Sequence, residues 1–183
     1  KAQIVLANKE YIRQIHNIFR KADLEIDGIV PITLAEKNVV LDTNELNDNI
    51  MILDIGAGNT EIGVFEGTEF IYTNTIPLGG DNITNDIALV LNISVEEADK
   101  LKKQYGLAMK SYIDNDNEIM LNTCKDENKN KIIKSSELIE IIEARIEEMF
   151  KLINDDITAH GVKQRINNVV LTGQGIVNIS KSD

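Results

Sequence analysis

The chain has 183 residues and a mass of 20.4 kDa, room for one domain or one and a fraction. A hydrophobic share of 43% excludes wholesale disorder, and a net charge of -11 argues against nucleic acid as a partner, because phosphate binding draws on a surplus of Lys and Arg. No apolar run approaches the ~20 residues of a membrane helix, and the lone Cys124 excludes a disulfide framework or a four-ligand zinc site, so a reduced, cytosolic protein is the simple reading.

The segment Gln3–Ala7 reads as a buried strand. Asn8 is placed to cap a helix on which Ile12, Ile15, Phe19 and Ala22 recur at helical spacing. A strand is predicted at Ile26–Pro31 and a short helix at Leu34–Leu41. The acidic, amide-rich run 42–49 is the best linker, and a domain boundary falls there.

Beyond the linker the pattern changes. Strands are predicted at Ile50–Gly56, Thr60–Glu66 and Phe70–Ile76, and turns this short make them an antiparallel meander. A helix runs from near Asp81 to Leu91, and a second, opened by a Ser94/Glu97 capping box, from Val95 to Tyr105. Residues 107–134 are polar, with small strands at Ile119–Leu121 and Ile132–Ile133. Ser135 or Ser136 is expected to cap the longest helix, whose Leu138, Ile142, Met149, Phe150, Ile153 and Ile157 line one face and which Gly161 ends. The last strand, Asn168–Leu171, runs into Thr172-Gly173-Gln174-Gly175.

The stretch from Leu53 to Glu61 carries the chemistry. A buried strand ends in Asp54, and a turn containing Gly56 and Gly58 follows, whose backbone N–H groups can converge on phosphate oxygens. Asp54 suits a hydrated Mg²⁺ held through water beside those phosphates, and Asn59 and Thr60 add side-chain hydrogen bonds. A dinucleotide fingerprint is the competing reading. It needs Gly or Ala where Glu61 stands, and a helix where a strand follows. A plain hairpin with incidental glycines is the lesser alternative for this motif, and any glycine turn taken singly is more often a turn than a site. Gly79-Gly80 and Gly173/Gly175 also lie at strand ends, however, and three such turns are what a nucleotide cleft requires.

These residues resemble the actin-like ATPase superfamily and, within it, the FtsA family of bacterial cell-division proteins. Asp54–Glu61 resembles the second phosphate motif, Val169–Gly175 the adenosine motif, Ile76–Ala88 a segment specific to that family, and Leu138–Glu148 its long helix. The resemblance covers nearly the whole chain. It implies an α/β fold of ribonuclease-H type, the second of two such halves, with a mixed sheet flanked by helices and a small inserted subdomain at about 94–166. Residues 1–47 would close the first half and 48–183 form the second. Ala57 replaces the motif's middle glycine, Gln104 stands where relatives often carry a Glu beside the ribose, and Gln174 and Val177 depart from the usual adenosine turn.

The resemblance also implies ATP and Mg²⁺ as cofactors, with Lys102 approaching the nucleotide, and at most weak ATPase activity in the whole protein. It implies self-association into filaments, recruitment of the C-terminal tail of the tubulin-like protein FtsZ, and attachment to the inner face of the cell membrane at the division site. The family's first phosphate motif would lie upstream and its membrane-binding helix downstream, so the chain is expected to be a piece of a longer protein and inactive alone. The tail's groove is expected between the helices at 95–105 and 137–157, with Lys100 and Lys103 offering charge. As a surface residue Lys102 needs no function, and Glu61 reads as a turn residue more readily than as a water-orienting one. His16 and His160 lack partners at ligand spacing, and Glu137, Glu140, Glu143, Glu147 and Glu148 form a solvated acidic face. The alternatives are a sugar or acetate kinase, or a DnaK-like or pilus-assembly relative, all of the same superfamily.

Overall fold

The structure is a computed structural model and describes residues 6–41, 47–121, 131–177 and 179. Of the strand expected at Gln3–Ala7, residues 3–5 lie outside the described residues, while Leu6 and Ala7 belong to no strand. Cys124 and most of the linker, 42–46, also lie outside them. Helix α1 spans Lys9–Lys21, and the Asn8 side chain accepts the N–H groups of Glu10 and Tyr11 at 2.9 and 3.2 Å, the expected cap. None of its residues is buried. The strand expected at Ile26–Pro31 does not form: the segment is irregular and pairs with no strand among the described residues, and β-branched composition alone does not hold a strand. Pro31 leads directly into α2, Ile32–Val40.

The sheet has the order β3-β2-β1-β6. Strands β1 (Ile50–Ile55), β2 (Thr60–Glu66) and β3 (Glu69–Ile76) form the antiparallel meander. The β2–β3 turn puts Gly67 at φ +58, as a two-residue hairpin with glycine in its first central position requires. Strand β6 (Asn168–Thr172) runs parallel to β1, with Asp54 opposite Thr172. The sheet is therefore mixed. Alternation along β1 gives it two buried faces. Met51, Leu53 and Ile55 pack with Ile62, Val64 and the far half of a long helix, whereas Ile50 and Ile52 pack with Phe65, Phe70 and Leu41 beside α2.

A second core joins α3 (Gly80–Leu91), α4 (Val95–Tyr105), the hairpin β4 (Glu118–Leu121) and β5 (Lys131–Lys134), and α5 (Ser135–Ala159). The N-terminal half of α5 gives Leu138 and Ile142 to this core, and its C-terminal half gives Met149, Ile153 and Ile157 to the sheet. Its start corrects the expected cap. Asp116, from the preceding loop, accepts the Ser136 N–H at 2.9 Å and the Ser135 hydroxyl at 3.2 Å, so neither serine is the cap. At the other end Val162 N–H bonds Ile157 O and Gly161 N–H bonds Thr158 O, a Schellman closure at the predicted glycine.

Candidate functional site

The glycine turns converge at one end of β1. Gly56 N–H donates to Asn59 O at 2.9 Å and closes the turn after Asp54. Its carbonyl accepts Gly80 N–H at 2.9 Å, and Ala57 O accepts Asp81 N–H at 2.7 Å, so the turn is joined to the first turn of α3. The approach leaves no space for side chains. A Cβ on Gly79 would sit 2.5 Å from the carbonyl oxygens of both Gly56 and Ala57, and one on Gly175 only 2.3 Å from Gly56 O. A Cβ on Gly80 would meet Gly175 Cα at 2.9 Å. Gly173 combines φ +92 with a Cβ position 2.3 Å from Asp54 Oδ1, so the aspartate carboxylate lies against that turn. Asp54, Gly56, Gly79, Gly80, Gly173 and Gly175, separated by up to about 120 residues, thus form one cluster.

Other expected site residues have different surroundings. Gly58 has open space where a Cβ would be, and among the described residues the N–H groups of Ala57, Gly58 and Asn59 have no backbone partner. These three are the donors a phosphate could meet. The N–H groups at Gly79, Gly80 and Asp81, by contrast, bond to Asn82 Oδ1, Gly56 O and Ala57 O, so this turn shapes the site and its donors are taken. Thr60 is buried and donates to Leu78 O at 2.8 Å. Asn59 Nδ2 donates to Glu61 Oε1 at 2.8 Å, and Thr75 to Glu61 Oε2 at 2.5 Å.

Lys102 is buried, not a surface lysine. Its Nζ donates to Gly80 O at 3.0 Å and Thr84 Oγ1 at 2.6 Å, with Asp99 at 3.7 Å. Burial pushes its pKa down, against the attraction of Asp99 and Asp81. The ammonium holds the first turn of α3 in place.

One residue beside the site escaped the sequence reading. Glu36 lies on α2, which packs Thr33 against Gly63 and sends Lys37 Nζ to Gly67 O at 2.8 Å and over the Phe65 ring. Glu36 Oε2 is buried and has no hydrogen-bond partner. Burial, and then the neighbouring Asp54, raise its carboxyl pKa above the ordinary value. Only the acidic residue type signalled it in the sequence, because its position across the linker gave no local link to the glycine turn.

Among the described residues no three His, Cys, Asp or Glu side chains could together enclose a metal ion. Mg²⁺ does not need such a cage; one or two carboxylates, water and phosphate oxygens are enough, and Asp54 beside an orphaned carboxylate oxygen fits that donor set. His160 stacks on Tyr72 and contacts Asp156.

Beside a smaller cavity where the end of α4 (Gln104, Tyr105) meets the start of α5 (Ser135, Ile139), a cavity of about 510 Å³ lies between α3 and α5, with Val90, Leu91, Ile141 and Ala144 along it. Its rim carries Glu137, Glu140 and Glu148, and Arg145 is paired with Asp86. Lys100 and Lys103 do not line it, and Lys103 is bonded to Asp99 at 2.5 Å.

Comparison with known proteins agrees with this architecture. The profile of the family described as Cell division protein FtsA matches residues 51–179. Cell division protein FtsA of Bacillus subtilis is 37% identical over 164 residues, spanning 87% of this chain and 37% of the relative. FtsA of Escherichia coli K12 is 25% identical over 181 residues, spanning 94% and 43%. The chain thus spans about two fifths of the length of these relatives. Among solved structures, MreB5 of Spiroplasma citri bound to AMPPNP superposes with a TM-score of 0.75 at 17% identity, over 97% of this chain and 56% of that one. A PilM–PilN type IV pilus biogenesis complex superposes with a TM-score of 0.62 at 16% identity, over 94% and 43%. The fold is that of the actin-like ATPases, and the chain belongs to the FtsA family of cell division proteins.

Proposed function

We propose that this chain is the second half of an ATP-binding, filament-forming adaptor that links the FtsZ ring to the cell membrane during bacterial division. The convergence of the Asp54–Asn59 turn with Gly79, Gly80, Gly173 and Gly175 carries the nucleotide part of the reading. The N–H groups of Ala57, Gly58 and Asn59, which have no backbone partner among the described residues, would donate to phosphate oxygens, and the Gly173–Gly175 turn would serve the nucleoside. Asp54 would hold a Mg²⁺ through water, and the ion would supply charge neutralisation of the phosphates there. Thr60 and Lys102 position these groups from beneath. The opposite wall of the cleft belongs to the missing half, so this chain alone binds ATP weakly and does not hydrolyse it measurably.

The α3–α5 groove is the proposed seat of the FtsZ tail. Its apolar floor and acidic rim suit a short segment with an apolar anchor and basic flanks, opposite in sign to what Lys100 and Lys103 suggested. Membrane attachment uses a segment outside this chain, and the parent works in the cytoplasm at the division site. Pelleting the full-length parent with lipid vesicles, with and without ATP and FtsZ, tests the whole reading. ATP-dependent filaments on lipid that recruit FtsZ support it. Phosphorylation of a sugar or acetate with no polymer would replace it with the kinase alternative.

A further inference from the structure

We propose that the cavity where α4 ends and α5 begins is a second docking site, one that takes an arginine side chain presented by an extended segment of a partner protein. The cavity holds about 300 Å³, at the small end of the ~300–1,000 Å³ of ligand pockets, which suits one long side chain and leaves no room for a docked helix. It shares no lining residue with the α3–α5 groove. Ser135 and Ile139 of α5 line the one, and Glu137, Ile141 and Ala144 line the other, so the helix separates them.

Aromatic character and charge select the occupant. Tyr105, the last residue of α4, and Tyr112, in the short 3-10 turn Lys110–Tyr112, both line the cavity. They keep 40% and 45% of their surface exposed, so an incoming group reaches the rings while the backbone that carries it runs past outside. The Gln104 and Asn115 amides supply acceptors, and Gln104 Nε2 donates to the Tyr105 hydroxyl at 2.9 Å, which leaves the oxygen of that amide for a ligand. Among the described residues Asp114 alone brings a charge to the lining. The nearby lysines are engaged elsewhere: Lys103 with Asp99, Lys110 with Glu140 and Lys134 with Asp116. The positive end of α5 opens at the cavity, but Asp116 already accepts the Ser136 N–H and the Ser135 hydroxyl there, whereas α4 brings its negative, carbonyl end. The net charge of -11 adds a field that draws cations to the chain. A guanidinium meets all of these features. It is always charged, stacks on an aromatic ring, and spreads its N–H donors in a plane over carbonyl and carboxylate acceptors, which an ammonium does not.

The probe is the peptide acetyl-Gly-Arg-Gly-amide, titrated into the full-length parent labelled with meta-fluorotyrosine and followed by fluorine NMR. Tyr105→Phe and Tyr112→Phe assign the two signals. Both signals are expected to shift saturably with the arginine peptide. The citrulline peptide, neutral and nearly the same shape, is expected to bind about tenfold more weakly, and the lysine peptide to fall between the two. Asp114→Asn, an isosteric change in a surface loop, is expected to weaken arginine-peptide binding about fivefold with the melting temperature unchanged. Tyrosine signals that do not move at tens of millimolar peptide overturn the site, as does equal binding of the arginine and citrulline peptides or an unchanged affinity in Asp114→Asn. Free arginine binding as tightly as the peptide would make the occupant a small molecule and overturn the docking role. Displacement of the arginine peptide by the FtsZ tail peptide would merge this site with the tail's and overturn its independence.

Discussion

The carbonyl of Gly56 accepts the N–H of Gly80 at 2.9 Å and lies where a Cβ on Gly79 or Gly175 would have to be. One oxygen therefore joins the turn after β1 to α3 and limits how closely the β6 turn can approach. Gly79→Ala and Gly175→Ala each force a Cβ to within 2.5 Å of backbone that has no freedom to rotate away. Each is expected to destabilise the chain by about 1–3 kcal/mol or more. Gly58→Ala has open space and is expected to stay within about 0.5 kcal/mol of wild type. Urea unfolding of the three variants checks the contrast, and equal effects would contradict the packing of the turns.

Lys102 gives a pH dependence with a definite sign. Burial lowers its pKa in the folded chain below the ordinary 10.5. Between the folded and unfolded values the unfolded chain holds more protons, so this residue's contribution rises with pH across that window and is least favourable below it. Lys102→Met is expected to remove that slope. Unfolding free energies measured from neutral pH to about 10.5, wild type against variant, decide it; parallel curves would contradict the buried charge.

Tyr72 on β3 donates to Asp156 Oδ2 at 2.7 Å, and Asn74 donates to Asp156 Oδ1 at 2.8 Å, tying the sheet edge to the end of α5. Burial and the Asp156 carboxylate raise the Tyr72 pKa far above the ordinary 10. In an alkaline absorbance titration one of the four tyrosines is expected to ionise well after the others, and Tyr72→Phe to abolish that late step. The same substitution is expected to cost about 1–3 kcal/mol by leaving part of the carboxylate unpaired.

Much of the fold is legible in the sequence because its signals are local. Alternation in Thr60–Glu66, the short turn at Gly67 and the spacing of Leu138 through Ile157 are each contained in a few residues, and the meander and α5 follow them. What is illegible depends on distant partners. Ile26, Ile29 and Val30 suit a strand, yet no neighbour pairs with them among the described residues. The cap of α5 comes from Asp116 across a hairpin, and Glu36 reaches Asp54 across the linker. The glycines of the site are evident as glycines. Which of their N–H groups remain open is decided only when α3 docks on the turn.

Asp54 is the most direct point of attack on the account, since its carboxylate stands over Gly173 at the junction of the turns. Isothermal titration of Mg-ATP into the full-length parent and its Asp54→Ala variant, with melting curves of both, is the decisive measurement. Loss of Mg²⁺-dependent ATP binding with the melting temperature held within a few degrees is the predicted result. A variant that binds Mg-ATP as tightly as wild type, or one that unfolds while residual folded protein keeps full affinity, would contradict it.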